Sequence, residues 1–289
     1  AVMPRFLVLD GYDKAGRAAL QATGATPAGT LYRNMVFRYL PEAEVDIVHP
    51  ADPQSGIDDL DSYDAMLWTG SSLTIFHDDP AVTAQIELAR EGFRRGLPAF
   101  GSCWALQLAA VAAGGECHKN PNGREFGLAR KITLNEMGRA HPFYAKRPAP
   151  VFDGFTSHFD AVSHLPACGT ILAANALTGI QAADIQHERG RFFALQYHPE
   201  FDFGEIAALA KFRGAGLIDD GFMADTMALK TFIDQCAILH GAPERTDLRW
   251  SLGADDDVLD INCRHNEFIN WLDWLISSHR LNAAIVSAK

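Results

Sequence analysis

The sequence contains no apolar run approaching the roughly 18 residues that mark a membrane-spanning helix. Its start, AVMPRFLVLDGYDKAG, has neither a long apolar stretch nor a small-residue cleavage site, so no signal peptide is expected. There is no CxxC pair. The five cysteines (Cys103, Cys117, Cys168, Cys236 and Cys263) are odd in number and widely spaced. A disulfide framework and a zinc ribbon are both disfavoured, and a reduced, cytoplasmic protein is expected. Basic charge is also scarce: 25 Lys and Arg face 36 Asp and Glu, a formal charge of −11. A nucleic-acid backbone or an anionic membrane needs a basic face, so neither is an expected partner. Internal repeats and low-complexity tracts are missing too. The 289 residues, 48% of them apolar, can bury a core without metal or disulfide.

What is present first is an alternation of strand-like and helix-like segments. Phe6–Leu9, Val45–Val48, Tyr63–Trp68 and Leu97–Phe100 are short apolar runs that end at turn residues. Residues 12–29, rich in Gly, Ala and Thr, are expected as a loop. Tyr32, Met35, Val36 and Tyr39 fall on one face of a helix that stops near Pro41. Val82, Ile86, Ala89 and Phe93 make another stripe, and an Ala- and Leu-rich helix follows Cys103. This rhythm predicts an α/β fold: a doubly wound, mostly parallel sheet with helices on both faces. Residues 125–200 predict an antiparallel or mixed edge, with strands at Leu128–Leu134, Thr170–Ala173, Ile180–Ile185 and Phe192–Tyr197. Helical stripes at Leu229, Phe232, Ile233, Cys236 and at Phe268, Trp271, Leu272, Leu275 flank a polar linker over 241–257.

The chemistry centres on Leu97-Pro-Ala-Phe-Gly-Ser-Cys-Trp-Ala-Leu-Gln107. A strand ends, a glycine permits a sharp turn, and Cys103 falls where a helix begins. That is the arrangement of a nucleophile elbow. The helix dipole and free N–H groups favour an anionic sulfur there. The N–H of Trp104 is placed to meet the oxygen of an attacked carbonyl. The alternative is a small buried residue at a strand–helix junction. A nucleophile also needs a base and an orienter. In Gln196-Tyr-His-Pro-Glu200, an extended chain puts His198 and Glu200 on one side, about 6.6 Å apart. One ring nitrogen then meets the carboxylate and the other is left for a thiol.

These residues resemble a known family. Gly101-Ser102-Cys103-Trp104-Ala105-Leu106-Gln107 is similar to the G-x-C-x-G-x-Q motif of class I, triad-type glutamine amidotransferases, and Gln196–Glu200 to their Q-x-H-P-E motif. Thr69-Gly70-Ser71-Ser72 sits where that family carries its oxyanion loop. Ser157-His158-Phe159-Asp160-Ala161-Val162, with Leu165-Pro166, resembles the S-H-x-D-x-V…L-P stretch of the GMP synthetase branch. Asn120–Glu125 and Phe126-Gly127-Leu128 resemble stand-alone members of that branch. The match runs from about residue 3 to 205.

The resemblance implies a flavodoxin-like catalytic domain over 1–205 and a helical extension over 206–289 packed on it. It implies Cys103 as nucleophile, His198 as base and Glu200 as orienter. It places the oxyanion on Trp104 and on Gly70 or Ser71, and puts Gln107, Ser157 and His158 at the substrate. It implies no metal and no cofactor. The expected reaction is hydrolysis of the amide of L-glutamine through a γ-glutamyl thioester. Hydrolysis or transfer of another γ-glutamyl peptide or amine is the alternative, and a non-catalytic regulatory subunit the third reading. Ala105 stands where the family usually has glycine, and its methyl is expected to narrow the pocket or to shift selectivity. No phosphate loop for a synthetase follows residue 205, so any ammonia acceptor would be a separate subunit. A homo-oligomer is open.

The remaining candidates are read as structural: Cys117, Cys168, Cys236 and Cys263 as packing residues, Asp255–Asp257 as a solvated turn, and Trp271 and Trp274 as helix packing.

Overall fold

The computed structural model describes residues 3–53, 57, 59–279, 281 and 284–286. The short apolar runs become parallel strands β1 (Arg5–Leu9), β2 (Glu44–Val48), β3 (Ala65–Trp68) and β4 (Ala99–Ser102). Helices α1 (Lys14–Ala22) and α2 (Ala28–Tyr39) follow β1, α3 (Pro80–Arg95) follows β3, and α4 (Trp104–Ala112) follows β4. The chain then lays down β5 (Glu116–Lys119), β6 (Glu125–Leu134), α5 (Glu136–Ala140), β7 (Val151–His158) and β8 (Asp160–His164). β9 (Gly169–Ala174), β10 (Ala182–His187) and β11 (Gly190–Leu195) complete the strands.

The main sheet has nine strands in the order β2-β1-β3-β4-β11-β10-β9-β6-β7. β11 returns parallel beside β4, and from β10 outward every pairing is antiparallel. β5 and β8 form a separate antiparallel ribbon. The strand period of two sorts the core. Phe6 and Val8 face a cluster with α2, whereas Leu7 and Leu9 face one with α3 and α4. Each large apolar side chain buried this way contributes on the order of 1.5–3 kcal/mol.

After β11 the chain is helical: α6 (Phe203–Asp219), α7 (Thr226–Gly241), α8 (Thr246–Leu252), α9 (Asp256–Leu259), α10 (Ile261–Arg264) and α11 (Asn266–His279). The stripe Phe268, Trp271, Leu272 and Leu275 of α11 is fully buried in the cluster that holds Phe6 and Phe100. α6 and α7 cover a third cluster with Tyr12, Phe126 and Phe155. Arg147 reinforces the docking of α11. Its Nε donates to Glu267 Oε1 at 2.9 Å, and its guanidinium lies 3.7 Å from the Phe152 ring centroid. Both side chains are almost wholly buried, so removing one partner would strand a charge at a cost of about 3–5 kcal/mol.

Several segments differ from the sequence reading. Within 12–29, Asp13 caps α1 by accepting from Gly16 N–H at 2.7 Å, so a helix forms where composition suggested a loop. Within 241–257, α8 forms, ends on left-handed Gly253, and α9 begins. Asp255 is the cap of α9, and Asp257 accepts from Asp153 N–H at 3.0 Å. Strands β5, β7 and β8 carry Glu, His and Asp at positions that break a clean apolar alternation. Among the described residues no helix is long and apolar enough to cross a membrane.

Candidate active site

β4 runs straight into α4, with Cys103 alone between them. Cys103 adopts φ 55 and ψ −103, a region that L residues with a Cβ avoid. Such a conformation costs on the order of 1–3 kcal/mol and persists only where the surroundings impose it. Here Cys103 N–H donates to Leu195 O at 2.7 Å, which ties the turn to β11. Gly101 is required beneath it: a Cβ there would lie 2.5 Å from Trp68 O and collide with the Ala105 methyl. Ala105 is therefore fully buried against the sheet. Its methyl faces Gly101 and does not narrow the cavity, contrary to the expectation from the motif.

The end of β11 brings His198 past the same turn. Its N–H donates to Phe155 O at 2.7 Å, and its ring stacks on Phe201 with centroids 3.9 Å apart. Nδ1 lies 2.7 Å from Glu200 Oε1, so the i, i+2 spacing delivers the pair. Ser102 Oγ donates to the same carboxylate oxygen at 2.8 Å and accepts from Tyr32 Oη at 2.7 Å. The other Glu200 oxygen is buried without a partner among the described residues. Burial by itself would lower the His198 pKa. The Glu200 charge, assisted by Cys103, overrides it and pushes the value up to about 10. Gly70 faces this ring so closely that a Cβ would stand 3.2 Å from His198 Cε1.

A cavity of about 180 Å³ opens at the thiol, lined by Ser71, Cys103, Trp104, Gln107, Ser157 and His158 among others. Cys103 is 6% exposed, and its Sγ lies 3.7 Å from Ser157 O. Gln107 Nε2 donates to Asp160 O at 3.1 Å. The His158 ring is held at both nitrogens, 2.8 Å from Asp160 O and 2.8 Å from Glu125 Oε2. Glu125 also accepts from Gln181 at 2.9 Å. Burial pushes the Glu125 carboxyl up, but His158, Asn175 and Gln181 outweigh it and hold it low. That ring is thus fixed at the end of β7, where it lines the cavity. Ser102, Tyr32, Glu125, Arg124 and Arg213 were not picked out from the sequence. Ser102 had a signal, standing between the glycine and the cysteine. Arg124 and Glu125 lay in the Asn120–Glu125 stretch, whereas Tyr32 and Arg213 come to the site only through the tertiary fold. A larger apolar cavity, about 510 Å³ and lined by Phe126, Phe222 and Phe232, contains neither Cys103 nor His198.

Cys168, read from sequence as a packing residue, lies 3.7 Å from His187 Nδ1. Cys117 and Cys236 are buried, and all five cysteines are free. Among the described residues no group of three or more His, Cys, Asp or Glu could hold a metal ion.

The family model for glutamine amidotransferase class-I matches residues 29–212. The gamma-glutamyl-L-1-hydroxyisopropylamide hydrolase of a Pseudomonas species is 30% identical over 276 residues, covering 94% of this chain and 93% of that protein. The glutamine-hydrolysing GMP synthase of Nitrosomonas eutropha is 32% identical over 185 residues, 60% of this chain. The chain spans about a third of the length of that synthase, 32% of it. In structure, the glutamine amido transferase of Methylobacillus flagellatus overlays with a TM-score of 0.63 at 13% identity, covering 94% of this chain and 95% of that one. A Thermotoga maritima glutamine amidotransferase gives 0.61 at 15% identity, covering 83% and 95%. The chain therefore belongs to the class I glutamine amidotransferase family, as an enzyme whose chemistry is amide hydrolysis.

Proposed function

We propose that the chain hydrolyses the γ-amide bond of a γ-glutamyl compound through a thioester on Cys103. The observation that carries this reading is the thiol at the strained head of α4, set in a cavity wall beside the buried His198–Glu200 pair. In the proposed scheme Cys103 attacks the γ-carbonyl carbon. His198 Nε2 holds the proton given up by the thiol and passes it to the departing amine, and Glu200 fixes the ring through Nδ1–H. Backbone N–H of Trp104, with that of Gly70 or Ser71, receives the oxyanion. Gln107 has its nitrogen committed to Asp160 O, which leaves Oε1 as the acceptor for the substrate's α-ammonium. Water then cleaves the thioester and releases glutamate.

The nitrogen substituent is the finer point. Likeness along 93% of the Pseudomonas hydrolase, whose name specifies a hydroxyalkyl amide, supports an N-substituted γ-glutamyl amide as substrate. Likeness to GMP synthases supports the second reading, glutamine with ammonia passed to a separate synthetase subunit. Glutamate release is compared for L-glutamine and a γ-glutamyl hydroxyalkylamide. The substituted amide is expected to have the higher kcat/KM by about tenfold or more, the scale of one or two well-packed methylenes. The reverse order supports the second reading. No glutamate from either removes the proposal.

A further inference from the structure

Two arginines line the cavity at Cys103, and they differ in one respect. Arg124 is neutralised: it donates to Asp220 Oδ2 at 2.6 Å. Arg213, on α6, has no ion pair among the described residues, and its Nε is buried without a hydrogen-bond partner. Asp160 lines the same cavity but is not paired with it. The charge of Arg213 acts on the phenol of Tyr12, as do the charges of Cys103 and Glu200. The guanidinium and the Cys103 thiol line the same cavity. In a protein with a net charge of −11, an unpaired guanidinium in a cavity wall is conspicuous. A planar guanidinium is matched by a carboxylate, which takes two parallel N–H donors.

We propose that Arg213 is a specificity-determining residue that binds a carboxylate of the substrate. This rests on the γ-glutamyl reading above and deepens it. The unpaired guanidinium would make the enzyme a reader of amino-acid amides and not of simple acyl amides. Two carboxylates have the required chemistry: the α-carboxylate of the γ-glutamyl group, and a carboxylate carried by the leaving amine. The residue lies beyond the sequence motifs, ten positions after the start of α6, with no local pattern to announce it.

The test uses the full chain with Arg213→Gln and Arg213→Lys. Substrates are a γ-glutamyl alkylamide, which has only the α-carboxylate, and γ-glutamylglycine, which has both. The Gln variant is expected to lose about 10- to 100-fold in kcat/KM, the scale of a charge-assisted hydrogen-bonded pair. The Lys variant is expected to recover part of it. Thermal unfolding should change little, because no ion pair among the described residues is lost, only the contact of the guanidinium with the Phe212 ring, 4.9 Å from its centroid. An equal loss on both substrates assigns the α-carboxylate. A loss confined to γ-glutamylglycine assigns the carboxylate of the leaving amine. Unchanged kcat/KM on both overturns the proposal. Calorimetry in the Cys103→Ala background provides an independent readout with the γ-glutamyl alkylamide and its α-decarboxylated analogue, a 4-aminobutanoyl alkylamide. If Arg213 reads the α-carboxylate, Arg213→Gln weakens only the former. If wild-type protein hydrolyses neither substrate, L-glutamate binding judges Arg213, and the functional reading falls only if L-glutamine is not hydrolysed either. Weaker binding to Arg213→Gln than to wild type keeps the carboxylate site. Equal affinity, or no binding to either, removes it.

Discussion

Cys103→Gly is expected to be more stable than Cys103→Ala, and both are expected to be inactive. At an ordinary helix start the order would be reversed or level, since glycine costs about 0.5–1 kcal/mol in backbone entropy. At φ 55 and ψ −103 the Cβ itself is the source of strain, on the order of 1–3 kcal/mol. Relief of that strain exceeds the entropy cost, so urea unfolding should show the glycine variant about 1 kcal/mol more stable. Hydrolysis should fall about 10⁴- to 10⁶-fold in both, the range seen when a nucleophile is removed from a working constellation. An alanine variant more stable than the glycine variant would mean that the elbow stores no strain. The prediction links local backbone to function: stability is given up at one residue to hold a thiol clear of the sheet.

Glu200→Gln is expected to cost about 10²- to 10⁴-fold in kcat and to change the pH profile in a stated direction. His198 is held protonated up to about pH 10 because Glu200 and Cys103 outweigh its burial. In the proposed scheme the imidazolium donates the proton to the leaving amine, so activity should fall as pH rises through about 10. Without the carboxylate the proton is held less tightly, and that basic limb moves to lower pH. The sign for stability follows from the same shift. The folded value lies above the unfolded value of about 6.5, so the stabilisation is complete below about 6.5 and is lost as pH rises towards 10. Wild-type protein should therefore lose more stability than Glu200→Gln between about pH 7 and pH 10. Chemical denaturation at both pH values reads this directly. Parallel profiles for the two proteins would exclude Glu200 as the group that holds the proton.

The doubly wound core was legible because its strands are short apolar runs, each closed by a turn residue. The residues flanking Cys103 and His198 were legible for the same reason: a strand end fixes where the next side chain goes. His198 and Glu200 needed only the i, i+2 rule to be placed together. Ala105 was misjudged. Helix position alone did not reveal that its methyl faces Gly101, a relation set by the tight β4–α4 crossing. The loop expected over 12–29 became α1 because one capping aspartate and tertiary packing outweighed a Gly- and Thr-rich composition. Tyr32, Glu125 and Arg213 reach the site from elements far apart in the chain, and no periodicity encodes such a meeting.

The central claim is a γ-glutamyl thioester on Cys103. Wild-type protein is mixed with a γ-glutamyl alkylamide, quenched in acid within the first turnovers, digested, and mapped by mass spectrometry. The Cys103 peptide should carry the mass of one γ-glutamyl group, absent from Cys103→Ala and lost on mild alkaline treatment, as a thioester is. Steady hydrolysis with that peptide never labelled, and with Cys103→Ala still turning over, would contradict the account.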